Sequence, residues 1–177
     1  SVASRGLGDV YKRQTFGVST AEMADAVVGQ VASVTVSTAG SGFTVRPTVS
    51  FSGGGQSASG ATATATAKVV SVTLGGGASA GGSNYAAGDV VTVNGGTAST
   101  TAKINVLTVN SSGGALTLSI NAAGSYTVLP TLANNAPTGG NGTSIKVNLS
   151  YGVNNVTVTA NGSGYTSVPT VTFGGAG

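Results

Sequence analysis

Residues 161–173 read NGSGYTSVPTVTF, and the chain states versions of this phrase four times. The others are AGSGFTVRPTVSF at 39–51, GGSNYAAGDVVTV at 81–93 and AAGSYTVLPTLA at 122–133. Their aromatic residues, Phe43, Tyr85, Tyr126 and Tyr165, stand 42, 41 and 39 residues apart (85−43, 126−85, 165−126). A period of roughly 40 residues marks a repeat architecture. Within a phrase, a Gly/Asn/Ser turn precedes the aromatic, and Pro47, Pro130 or Pro169 follows it by four residues. Asp89 takes the proline's place in the second phrase.

Outward from the phrases the signals are β. Val34 and Val36, Val72 and Leu74, Leu116, Leu118 and Ile120, then Val156 and Val158 alternate with polar residues that are mostly Thr or Ser. A period of two describes a strand with one buried and one solvated face. Further strands are expected over Ala61–Leu74, Lys103–Val109 and Ser144–Leu149. Proline is expected at the first residue of a strand, where its missing N–H breaks no ladder bond. The aromatic is expected to plug the end of a small core. About 40 residues bury too little apolar area to fold alone, so stability must come from neighbouring repeats or from oligomerisation.

This predicts an all-β chain, a tandem array of small antiparallel units laid end to end. The units run over about 31–68, 69–110, 111–150 and 151–177, the last cut short inside a glycine loop. Residues 15–30, TFGVSTAEMADAVVGQ, predict one short N-terminal helix, capped by Ser19 with Glu22 in an S-x-x-E box.

Composition narrows the function. Only 6% of the residues are charged, against about 25% in an ordinary domain. The 40% apolar content and a mean hydropathy of +0.28 argue for order. The net charge of +3 suggests an acidic partner. However, SRGLGDVYKRQ at 4–14 resembles the translation of a transposase-type DNA sequencing adapter, so 1–14 reads as a non-native segment. Without it, Arg46, Lys68, Lys103 and Lys146 face Glu22, Asp25 and Asp89, a net of +4−3 = +1 with no basic cluster. Nucleic-acid binding, which needs aromatics beside a positive groove, is not expected. No apolar run is long enough for a membrane helix.

Catalysis has little to work with. There is no Cys and no His, which removes Ser-His and Cys-His nucleophile arrangements and thiolate metal sites. The three remaining carboxylates form no glycosidase pair within a repeat. GGGASAGG lacks the Lys-Ser/Thr ending of a phosphate loop, and no Asp recurs as a calcium β-roll requires. No cofactor or metal is expected. N-x-S/T triplets at Asn110, Asn141, Asn148, Asn155 and Asn161 follow from composition. Tyr85, Tyr126 and Tyr165 are the candidates for ligand contact, set against the packing role.

The phrase NGSGYTSVPTVTF, with VTVTA before it and ATATATA elsewhere, resembles the glycine-rich GSGY-x-x-x-PTV-x-F repeats of bacteriophage tail-fibre and other virion structural proteins. Similar repeats occur in bacterial surface adhesins. The resemblance covers about residues 31–177 and is strongest in the first and fourth phrases. It implies an elongated, trimeric or modular protein, placed in the virion or at a cell surface. The implied partners are other copies of itself, other virion proteins and a host-surface glycan. A carbohydrate-binding appendage of a larger secreted enzyme is the third reading.

Overall fold

The computed structural model describes residues 24–27 and 29–176. Every regular element among them is a strand and every ladder is antiparallel, so the chain is all-β. No helix among the described residues is long and apolar enough to cross a membrane.

The chain opens with a hairpin of β1 (Ala24–Val27) and β2 (Gln30–Val34). Here the expected helix over 15–30 needs correction. Residues 15–23 and 28 lie outside the described residues, as does 1–14, but Ala24–Val27 is a strand. Val27 pairs with Gln30, and Gly29 closes the turn at a φ of 98°. A short helix is marginal by itself, and the adjacent strand offers the same backbone a full set of partners.

The spine consists of two long strands, β4 (Ser59–Leu74) and β10 (Val147–Ser163), paired along their whole length. The strand between the hairpin and the spine is β3 (Phe43–Ser52). Three short strands follow the spine's first member: β5 (Val90–Thr92), β6 (Thr97–Thr100) and β7 (Lys103–Val109). β8 (Ala115–Ala122) and β9 (Ser125–Val128) come next, and β11 (Thr170–Ala176) ends the described chain. One sheet runs β11-β3-β4-β9-β6, with β10 on the other edge of β4. β5-β7-β8 form a separate three-stranded sheet whose β8 lies against β4.

Period-two patterning explains the core. On β4, Ala65, Ala67 and Val69 point inward while Thr64 and its alternates face out. Val147, Leu149, Tyr151, Val153 and Val156 of β10, Ile104 and Val106 of β7, and Val91 and Val93 join them in one cluster. Lys103–Val109 forms as expected. Leu116 does not point inward: register shifts around Thr108–Thr117 put Ala115 inside and leave Leu116 54% exposed. Pro47 is also misplaced by the simple reading, since it lies within β3. It sits in the irregular stretch between the Phe43–Ala176 and Thr48–Gly174 pairs, where the ladder requires no N–H from it.

The phrases are nested rather than laid end to end. The unit boundaries drawn at 68/69 and 150/151 fall inside β4 and β10. β3, from the first phrase, pairs with β11, from the fourth. The second phrase meets the chain that follows the third through a Thr92–Thr138 bridge (N···O 2.7 and 3.0 Å), and the third meets the chain that follows the second through the ladder of β6 with β9. The physical reason is shared edges: each phrase has a hydrogen-bonding edge that its own short strands leave unfilled, and another phrase fills it.

Candidate functional site

The first and fourth phrases meet about a local two-fold. Counting from Pro47 and Pro169, Ser50 and Thr172 are equivalent positions, and they pair directly. Val49 then faces Phe173 and Phe51 faces Val171, so each Val opposes the other copy's Phe. Aromatic against β-branched pairs of this kind stabilise a sheet by a few tenths to about 1 kcal/mol.

The aromatics follow the same exchange. Phe43, Tyr85, Tyr126 and Tyr165 are 0%, 4%, 0% and 5% exposed. The Tyr165 ring lies over Gly54, in the loop after the first phrase, and Phe43 pairs with Ala176 after the fourth. Tyr85 lies over Gly142, after the third phrase, and Tyr126 pairs with Ala98 after the second. Each aromatic therefore closes on chain that follows its partner phrase. A β-carbon at Gly54 or Gly142 would overlap the ring, and Gly54 also holds a φ of +91°. Of the three tyrosines considered for ligand contact, none presents a ring face to solvent. Their packing role is the one visible in the geometry.

Burial acts on the phenols of Tyr85, Tyr126 and Tyr151. Burial pushes the Tyr126 hydroxyl above its ordinary pKa, partly offset by the backbone N–H of Ala102, which donates to it at 2.6 Å. Burial also raises Tyr85, with the Ile145 backbone opposing and the Asp89 charge adding to the rise. Tyr151, missed by the repeat reading because it lies outside the phrases, is fully buried and raised most, by burial and then by Tyr126.

Asp89 replaces the phrase proline with a turn-closing carboxylate. Its Oδ2 accepts from Ala86 N (2.9 Å) and Asn141 N (3.1 Å), and its Oδ1 accepts from Asn141 Nδ2 (2.9 Å). The Ala86 and Asn141 donors hold its pKa below the usual carboxylate range. Every one of its polar contacts is thus structural. Nearby, the buried Asn135 donates Nδ2 to Asn94 O at 2.8 Å, joining the segments that follow the third and second phrases. Of the N-x-S/T asparagines, Asn141 clamps Asp89. Asn110 closes a turn on Ser112 and Gly114, Asn148 accepts from Asn134 N, and Asn161 donates to Val31 O. These side-chain contacts span up to 130 residues, which no local pattern signals.

The outward product of this packing is a sheet face lined with hydroxyls. Thr48, Thr64 and Thr157 stand in register across β3, β4 and β10, and all are exposed. Thr62 and Thr159 share a hydrogen bond at 2.8 Å, and Ser50 and Thr172 extend the face to β11. Neighbouring ranks of such a sheet are about 4.8 Å apart. Two cations border the face: Arg46, whose Nε donates to Ala65 O at 2.7 Å, and Lys68, which follows Thr64 and Thr66 on the same side of β4. A second surface feature is an open depression of about 360 Å³ lined by Gly76–Ala80, Ser144 and Lys146. Among the described residues no group of three or more His, Cys, Asp or Glu is placed to hold a metal ion.

No protein-family model, no curated protein and no solved structure matches the chain.

Proposed function

We propose that the chain is a non-catalytic structural repeat protein of the phage tail-fibre or tail-associated type, acting as a spacer or host-attachment module. The observation that supports this most is the use of the repeated phrase. Its aromatics and Asp89 close on chain that follows another copy of the phrase, and what reaches the surface is a face rich in Thr and Ser. Such a face suits contact with polyhydroxyl surfaces such as a host glycan, through hydroxyl hydrogen bonds rather than aromatic stacking. The tandem phrases and their resemblance to virion repeats support the same reading, with assembly into copies of itself and a virion location as its corollaries.

The genes flanking the coding sequence test it. Baseplate, tail or terminase genes on the same DNA are the expected result. A secretion system or a surface-sorting signal beside it would overturn the virion assignment in favour of an adhesin. For the glycan, an array on which binding survives loss of the threonine ranks (Thr64→Lys with Thr157→Lys) would rule out the hydroxyl face as the contact.

A further inference from the structure

We propose that the Asn141–Gly142 step is a site of spontaneous deamidation held in check by Asp89, a latch that opens once and cannot close again. Asparagine is among the thermolabile residues. It is lost most readily before glycine, which puts no side chain in the way of its own N–H. The Gly142 nitrogen attacks Asn141 Cγ, its proton and the Nδ2 group leave together as ammonia, and a cyclic succinimide forms. Water then opens that ring at one carbonyl to give aspartate or at the other to give isoaspartate. The reaction needs no oxidant and no reactant besides water.

Three Asn-Gly steps occur in the chain, at 94–95, 141–142 and 161–162. In each, the fold fastens the carboxamide to a distant segment. Asn94 Nδ2 donates to Ala136 O at 2.6 Å, Asn141 Nδ2 to Asp89 Oδ1 at 2.9 Å and Asn161 Nδ2 to Val31 O at 2.8 Å. Attack requires the carboxamide to swing over the nitrogen that follows it, so the bond must break first and the rate follows the population of the locally opened chain. Asn141 differs from the other two in its partner. One carboxylate holds both its amide and its backbone N–H, the latter at 3.1 Å, and Thr143 beyond it is tied to Ser83 in both directions at 3.0 and 2.9 Å. Among the described residues no hydrogen bond engages the Gly142 N–H, so the nucleophile itself is not tied up. After conversion, a second carboxylate stands where a donor faced Asp89 Oδ1, and like charges oppose each other. At Asn94 and Asn161 the lost donor faces only a neutral carbonyl. Isoaspartate also lengthens the backbone by one carbon beside Gly142, which packs against the Tyr85 ring with no room for a β-carbon. The change therefore strikes the contact by which Tyr85 closes on the chain after the third phrase.

The test ages the intact 177-residue chain in mildly alkaline buffer and follows each Asn-Gly step by peptide mass spectrometry. Asp89→Ala should speed conversion at Asn141 about tenfold or more. Asn94 and Asn161 should keep their rates in the same sample, which shows that the variant remains folded. Asn141→Asp makes the product directly and should unfold at lower urea than the unaltered chain. Asp89→Asn in that background returns an amide to the pair and should restore the midpoint. Equal rates at Asn141 with and without Asp89 would overturn the proposal. So would acceleration of all three steps together, which marks general opening, and so would an Asn141→Asp chain as stable as the original.

Discussion

The rings of Tyr126 and Tyr151 meet edge to face, with centroids 5.9 Å apart and planes at 78°, yet only one of the two hydroxyls has a hydrogen-bond partner among the described residues. Tyr126 accepts from the buried Ala102 N–H at 2.6 Å, while Tyr151 is buried to 0% exposure with its oxygen unpaired. This geometry favours the ring pair and separates what the two hydroxyls contribute.

Removing each oxygen should therefore give opposite results. Tyr126→Phe leaves a buried N–H without a partner and is expected to cost about 1–3 kcal/mol. Tyr151→Phe removes an unsatisfied group and is expected to be neutral or slightly stabilising. Urea denaturation of both variants checks this, and an equal loss in the two would refute it.

A methyl group at Gly142 must displace the Tyr85 ring or the Ser83 carbonyl, both of which occupy its space. Gly142→Ala is expected to destabilise by about 1–3 kcal/mol, the usual cost of overpacking. The same change at Gly77, where nothing stands within 4 Å, meets only the cost of its φ of +104°. Comparing the midpoint shift of Gly142→Ala in wild type and in a Tyr85→Leu background separates the ring contact from that of the Ser83 carbonyl, which both share.

The buried phenols set an alkaline limit. Tyr85, Tyr126 and Tyr151 all have pKa values raised in the fold, first of all by burial. An unfolded tyrosine ionises near pH 10, so above that pH the unfolded chain loses protons that the folded chain keeps. The stabilisation is complete below about pH 10 and is lost as pH rises toward the folded values. The phenolate absorbance of these three should consequently appear together with loss of the β signal. Ionisation of Tyr85, Tyr126 and Tyr151 with the fold intact would contradict it.

Nesting makes the phrases one cooperative body. If β3, β4, β10 and β11 are bound as the ladders indicate, heat or urea should produce one transition, coincident by fluorescence and circular dichroism. Limited proteolysis should release no stable fragment ending near residue 110. A protected fragment of one or two phrases would instead favour independent units.

The comparison of sequence with structure divides along range. The β character was legible because alternation with a period of two is a local pattern with one physical meaning. The Lys103–Val109 strand follows from such a pattern. Nesting was not legible, because ATATATA alternates small side chains that accept many registers and name no partner. The Asp89–Asn141 and Asn94–Asn135 clamps join residues 52 and 41 apart and leave no periodic trace. Ala24–Val27 read as helix because its neighbours supply caps and charges; the pairing with β2 decided otherwise.

Nesting also orders events in time. Thr62 waits for Thr159, 97 residues further along, so β4 leaves the ribosome well before the strand that covers it has been made. Contacts of such separation slow folding and leave edges exposed in the interval. Over 61–67, threonine at every second position keeps the waiting segment wettable on one side, and alanine opposite keeps it from offering much grip on the other. The residues that make the finished face hydroxylated thus also leave this segment with little apolar surface while it waits for β10.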